Sequence, residues 1–463
     1  MLLVMKFGGS LLAGKDGVST VARIVRRYSE ENEVVVVVSA MGDVTDLLLE
    51  ASGAALASDD KGARDYVEKI MRVQLEATGQ LSPESGAKVR VVTDELILSL
   101  TRALQGVSLL RELTSRSRDL IMSFGERLSI PIVAAAIEEA GVHSRALTGA
   151  EAGIVTDNAF GEASPDIVAT RRGLRRALNP LVSKGTVPVV SGFIAATRGG
   201  ETTTLGRGGS DYTATIVADA LGADEVWIWT DVDGIMTSDP RIIPGASVVK
   251  ELSYAEAEEM AFFGAKNMHP LALGPARLAR IPVRIKNGRR PELPGTLIHR
   301  VEKKKAGVAK AILLVKNVGM LTVSGETMMG KPGTAGQIFR ALGEKWVNII
   351  MISQSASESN ISMVVRRESL QKARLALDSG SSPSGKGLYI ETDPDVAVIA
   401  AVGAGMKGTP GVAAKVFGAV ADAGINVRMI AQGSSELNIS FVVRERDAVK
   451  AVEVLHAALV AGA

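Results

Sequence analysis

Leu2-Leu3-Val4-Met5-Lys6-Phe7-Gly8-Gly9-Ser10 opens the chain with four apolar residues, then a cation, an aromatic, two glycines and a hydroxyl. The apolar run predicts a short strand that ends at Lys6 and the glycine turn. Glycine lets main-chain N–H groups approach anionic oxygens closely, and a lysine ammonium can neutralise charge that moves between phosphates. The same residues also suit a plain strand-to-helix turn with a surface lysine, so the stretch takes its meaning from its company.

Outward from it, apolar runs rich in β-branched residues alternate with helical stretches as far as about Arg300. Val34–Ser39, Pro188–Ser191, Val226–Thr230 and Val283–Ile285 predict strands of a parallel sheet buried on both faces. Leu47–Ala57, Arg127–Glu139, Ser210–Leu221 and Tyr254–Phe263 have helical spacing. The class is α/β, a mainly parallel sheet sandwiched by helices.

A chain of 463 residues exceeds one hydrophobic core. With 46% hydrophobic and 22% charged residues it is an ordinary globule, and a net charge of +2 is too small to point to nucleic acid. The absence of cysteine excludes disulfides, thiolate nucleophiles and Cys-ligated zinc, and histidines 143, 269, 299 and 456 are too scattered to predict a zinc site. The first residues lack a basic n-region, their apolar run stops at Met5, and Val34–Val38 is too short to span a bilayer, so neither a leader nor a membrane span is expected. The expected location is the cytoplasm, with neither membrane nor nucleic acid as partner.

Past residue 300 the texture changes. Glu302-Lys303-Lys304-Lys305 reads as part of a solvated linker over 301–310. Beyond it, a shift of 78 residues lays Pro332–Val365 on Pro410–Val443 without a gap, with sixteen of thirty-four positions identical. The expected organisation is a domain over 1–300 and two small α+β modules over 311–392 and 393–463.

Two motifs are set aside. Gly9–Asp16 fits P-loop spacing until its last position, where Asp16 replaces the hydroxyl that would hold Mg²⁺. Gly403-Ala404-Gly405-Met406-Lys407-Gly408 matches the dinucleotide fingerprint, but its repeat partner keeps only the first and last glycine, which suggests a turn of the module. More informative is Leu205-Gly206-Arg207-Gly208-Gly209-Ser210-Asp211, a glycine-rich loop opening a helix, where backbone and guanidinium can both face an anion. Ser39–Thr45 follows the most apolar strand, with Thr45 either facing a ligand or capping a helix. Ser123-Phe-Gly-Glu-Arg-Leu-Ser129 puts Glu126 and Arg127 just before an apolar helix, and Thr230–Arg241 closes a strand with acids and hydroxyls but without calcium-loop spacing. Gly264–Pro270 places Lys266 at a helix end.

These motifs, in this order, resemble those of aspartate kinases, and the duplicated region resembles their paired ACT regulatory modules, of ferredoxin-like α+β type. The resemblance covers essentially the whole chain. It implies ATP-dependent phosphorylation of the L-aspartate side chain to 4-phospho-L-aspartate, with Mg²⁺ on the ATP. By the same resemblance Lys6 and Asp211 are catalytic, and Gly8, Gly9, Ser10, Thr230, Asp231, Arg241 and Lys266, with Lys6, contact the nucleotide. Thr45, Glu126, Arg207 and Ser210 hold aspartate, with Arg207 on the α-carboxylate and Glu126 on the α-ammonium. No protein metal site is implied. Asn348 and Gln354, repeated as Asn426 and Gln432, are candidate ligands for an amino-acid effector, and neutral amides favour threonine over lysine. A homodimer or larger assembly is expected. Ser10-Leu11-Leu12 and Met236 depart from the usual pattern. Rival readings are a kinase of the same superfamily acting on glutamate or a nucleoside monophosphate, and a non-catalytic amino-acid sensor.

Overall fold

The computed structural model describes residues 1–264, 270–302, 308–325, 328–378 and 388–460. They form two compact units: Met1–Ile235, Lys250–Tyr254 and Asn267–Val301 make the first, and Met236–Val249, Ala255–Lys266 and Glu302–Ala463 the second.

In the first unit an eight-stranded sheet runs in the order Ser144–Leu147, Val187–Ser191, Glu33–Val38, Leu2–Phe7, Glu225–Thr230, Val283–Asn287, Thr296–His299, Glu251–Ser253. The first six strands are parallel, and Thr296–His299 reverses. Val34–Val38 are fully or nearly fully buried because helices cover both faces. Gly17–Ser29 and Ser115–Glu139 pack on one, and Ile167–Val182 and Gly209–Leu221 on the other. Leu3, Met5 and Phe7 join Val21 and Val133 in one core. The two-residue period of a strand therefore turns Val4 and Lys6 to the opposite face, towards Gly209–Leu221. The chain adds strands to one side of Leu2–Phe7 and then crosses to the other, which makes the carboxyl end of that strand a topological switch point.

Ser115–Glu139 is long and apolar enough to cross a membrane, and most of it is buried in this unit. Its Ile130, Val133 and Ile137 face the sheet, while Ile121, Phe124 and Leu128 pack on a layer of Val44–Leu56, Asp60–Thr78 and Pro83–Leu110. A small three-stranded sheet joins Val155–Thr156, Ile194–Thr197 and Thr202–Thr204.

The second unit is built on a six-stranded antiparallel sheet in the order Ile349–Gln354, Asn360–Arg366, Ala311–Ser324, Tyr389–Val402, Asn438–Arg444, Met429–Ala431. Elements recur at the 78-residue spacing, as in Thr334–Glu344 against Val412–Asp422. Ala311–Ser324 and Tyr389–Val402 pair from end to end, with bulges between Val315 and Met320, so each strand serves both modules. Leu321, Val323 and Ile390 belong to the first module's core, whereas Ala309, Ile312 and Leu314 join Ala397 and Ile399 in the second's. This corrects the boundaries expected from sequence. The second module takes its fourth strand from residues 311–315, ahead of the first module, and residues 389–393 close the first. Ala309 is buried in the second module's core and Lys310 pairs with Glu256, so neither is solvated linker; residues 303–307 lie outside the described residues.

The limit at residue 300 also shifts, because parts of the preceding chain group with the second unit. Thr237 carbonyl accepts from Ile312 N–H at 2.8 Å, Glu256 accepts from Ala404 N–H at 2.7 Å and pairs with Lys310 at 2.8 Å, and Asn438 donates to Glu259. At Gly403 a Cβ would stand 2.7 Å from Lys310 N, so close backbone packing accounts for the glycine.

Candidate active site

Glycine turns converge on the carboxyl end of Leu2–Phe7. Gly8 N–H donates to Trp229 carbonyl and Gly42 N–H to Gly9 carbonyl, each at 3.0 Å, which ties the first turn to both neighbouring strands. A Cβ on Gly9 would lie 2.4 Å from Ala40 O, and one on Gly125 2.8 Å from Ala40 Cβ. Bare backbone at both positions lets the Lys6 turn and the helix bearing Glu126 close on the same alanine.

Lys6 Nζ stands 2.6 Å from Asp211 Oδ1, with the two side chains only 12% and 10% exposed. Asp211 occupies the first turn of Gly209–Leu221, where the helix dipole favours an acid. The loop before it needs glycine at Gly206 and Gly208, whose φ values are +71° and +76°. Glu126 is 4% exposed, and its Oε2 has no partner among the described residues. Burial pushes its carboxyl up to about 8, against the opposing pull of the Ala40 and Glu126 backbone and of the Lys6 ammonium. A buried ion pair and a buried acid with an open oxygen thus face one another's charge.

The remaining predicted residues are placed less uniformly. Ser210 is half-buried, pressed on Gly192, where an added Cβ would lie 2.6 Å from Ser210 Cβ. Arg207 is exposed, and Ser10 is exposed within Gly9–Leu12. Thr45 is half-buried as the second residue of Val44–Leu56; Asp43 holds the N-cap position, so the capping alternative for Thr45 is set aside. Ser123–Ser129 lies inside Ser115–Glu139 rather than ahead of a helix, a correction that puts Glu126 on a rigid element. Thr230 Oγ1 donates to Asp231 Oδ1 at 3.1 Å. Arg241 belongs to the second unit, where it pairs with Asp239 at 2.6 Å, and Met236 there bridges to Val248. Lys266 lies outside the described residues. Asn348, Gln354, Asn426 and Gln432 are all exposed, at or near the ends of the sheet's two outer strands.

Residues 1–287 match the amino acid kinase family, and residues 321–380 and 399–459 match the ACT domain. Aspartokinase 2, chloroplastic, of Arabidopsis thaliana is 35% identical over 473 residues, covering 98% of this chain and 84% of that protein. The chain belongs to the aspartate kinases of the amino acid kinase family. Its fold agrees with this. The structure of E. coli aspartokinase III in complex with aspartate and ADP, an R-state, superposes with a TM-score of 0.83 at 29% identity, covering 99% of this chain and 100% of that one. The T-state of the same enzyme, with lysine and aspartate, gives 0.80 at 29% identity over 99% of each chain.

Several supports of this aspartate kinase's site escape sequence reasoning. Phe193 adopts φ +64°, a conformation costly for a bulky residue, where Ser191-Gly192 leaves its strand. A Cβ on Gly209 would lie 2.7 Å from the Phe193 ring. Asp119, about two turns before Glu126 on the same helix, is 1% exposed; its carboxylate accepts from Gly161 N–H at 2.9 Å, Thr204 N–H at 3.0 Å and Thr204 hydroxyl at 2.8 Å. It anchors the strand that leads to Arg207. Beyond Thr230 and Asp231, Asn287 Nδ2 donates to Asp233 Oδ1 at 2.7 Å, and Arg290 pairs with the other oxygen. Lys286 is buried 5.3 Å from the rings of both Trp227 and Trp229, and burial pushes its ammonium down. The only signal in the sequence was a polar or glycine residue directly after an apolar strand, as at Ser191-Gly192 and Asn287-Gly288.

Proposed function

We propose that this chain transfers the γ-phosphoryl group of ATP to the side-chain carboxylate of L-aspartate, giving 4-phospho-L-aspartate at the entry to lysine, threonine and methionine synthesis. The observation that carries the reading is the Lys6–Asp211 pair at the switch point, within reach of Glu126's charge. A carboxylate oxygen attacks the γ-phosphorus, and the bond to the ADP oxygen breaks. Since the nucleophile is ionised at neutral pH, the site needs alignment and charge neutralisation rather than a strong base. Lys6 sits on the transferring group, Asp211 fixes its direction, and Gly8, Gly9 and Ser10 line the phosphates. Thr230 and Asp231 receive the nucleoside part; the resemblance adds Arg241 and Lys266.

Charge assigns the acceptor contacts. Exposed Arg207 takes the α-carboxylate, Glu126 Oε2 takes the α-ammonium, and Thr45 and Ser210 add hydroxyls. No cluster of three or more His, Asp or Glu occurs among the described residues. That donor set suits Mg²⁺ carried in by the ATP phosphates, with Asp211 offering the carboxylate oxygen not taken by Lys6. When bound, the ion offsets phosphate charge. For regulation, the amide pairs on the outer strands favour threonine over lysine as effector, and those strands expose Ile352 and Ile430, 44% and 45%, as expected of a chain that works as a dimer or larger assembly. Hydroxylamine trapping of the acyl phosphate with aspartate, glutamate and UMP as separate acceptors tests the reaction. Inhibition by lysine alone would contradict the effector assignment.

A further inference from the structure

Because the regulatory modules are copies, a site built into one can be judged against the same place in the other. Beside residues 389–393 of the first module lies a cleft of about 450 Å³ whose walls include Thr322, Arg374, Glu391, Thr392, Asp393 and Arg428. Across the 78-residue repeat the matching positions are Ala400, Val452, Leu313, Leu314, Val315 and Ile350. Every polar wall residue has a non-polar counterpart.

The second module shows why its copy is apolar. There the chain itself covers the place: Thr237 carbonyl accepts from Ile312 N–H at 2.8 Å, Thr237 hydroxyl bonds His456 Nε2 at 3.0 Å, and Ile242 and Ile243 pack on the core that contains Val452. Ile312 and His456 correspond to Ile390 and Asp378 of the first module. Among the described residues no such segment covers the first module's cleft, and charged groups line it where the second module has aliphatic ones.

Those charges balance. Arg428 pairs with Asp393 at 2.7 Å and Arg374 with Asp378 at 3.5 Å, while Glu391 forms no ion pair among the described residues. Two guanidinium groups and two carboxylates within one small space match a ligand that carries both signs, and the volume lies in the range of small-molecule sites, roughly 300–1,000 Å³. An apolar chain segment of the kind that covers the second module would take these charged pairs, and the Glu391 carboxylate that has no ion pair among the described residues, out of water. We propose that this cleft binds a free α-amino acid through its carboxylate and ammonium groups, as an effector site separate from the amide pairs at Asn348 and Gln354 and at Asn426 and Gln432. The proposal rests on reading the second unit as regulatory.

Calorimetric titration of the full-length protein with L-threonine, L-lysine, L-methionine and glycine in turn tests it. At least one should bind, and its affinity should fall about tenfold or more in both Glu391→Gln and Arg374→Gln, but not in Asn348→Ala. Both cleft residues are exposed, so the variants should keep the native melting temperature. Binding that survives both substitutions and is lost in Asn348→Ala would overturn the cleft while leaving amino-acid regulation intact. Absence of binding by all four probes would overturn it too, with inhibition assays deciding separately whether regulation stands. If Arg374→Gln instead lowers the mass measured by light scattering, the cleft is a contact between copies and the proposal fails.

Discussion

Glu126 concentrates the chemistry of the site in one side chain. Its carboxyl titrates near 8 in the free protein, far above the unfolded value of 4.5, because burial disfavours its charge. The folded state therefore holds a proton that the unfolded state releases, and stability falls as pH rises from about 4.5 to about 8, by roughly 5 kcal/mol at most. Glu126→Gln should remove this loss and raise the melting temperature at pH 8 relative to wild type. The same substitution deprives the aspartate ammonium of its partner, so KM for aspartate should rise about 30-fold or more while KM for ATP stays within about twofold. In the wild type, binding aspartate should release a proton from Glu126, and KM for aspartate should fall as pH is raised from 6 towards about 8. A pH-independent KM would remove Glu126 from the ammonium site. Gly125→Ala tests the packing that sets this residue: a Cβ 2.8 Å from Ala40 should cost about 1–3 kcal/mol by denaturant unfolding.

Among the elements, Ser115–Glu139 links the proposed aspartate site to the scaffold, since Asp119 anchors the strand into the Arg207 loop and the same helix carries Glu126. Asp119→Ala leaves three donors without their acceptor and should cost about 3 kcal/mol or more, with KM for aspartate raised through Arg207. A variant with normal stability and KM would show that the anchor is redundant. The strands Glu33–Val38 and Glu225–Thr230 were legible as short continuous apolar runs, and the helix Gly209–Leu221 by its helical spacing after a glycine-rich loop. Pro83–Leu110 was not, since only six of its 28 residues are buried and its apolar stripe is diluted by exposed Leu98, Leu109 and Leu110. The Lys6, Glu126 and Arg207 motifs could be read because glycine marks close backbone approach. Phe193 could not, because nothing local dictates its left-handed conformation; contacts with Gly209 and Thr213 do.

For the molecule as a whole, duplication explains what local reading could not place. The 78-residue repeat fixed two modules, but the unbroken apolar run over 311–315 reads the same whichever module it completes. The donated strand is set by long-range pairing of Ala311–Ser324 with Tyr389–Val402. Exposed apolar residues on the outer strands predict association: light scattering should give at least a dimer, and Ile352→Lys should weaken it if that strand is the contact. Lys6 is the residue on which the proposed transfer depends most directly. With ATP and Mg²⁺, hydroxylamine trapping should detect acyl phosphate from aspartate and not from glutamate or UMP, and Lys6→Ala should reduce the aspartate rate by about 10³-fold or more without loss of fold. Acyl phosphate formed from aspartate at an undiminished rate by Lys6→Ala would contradict it.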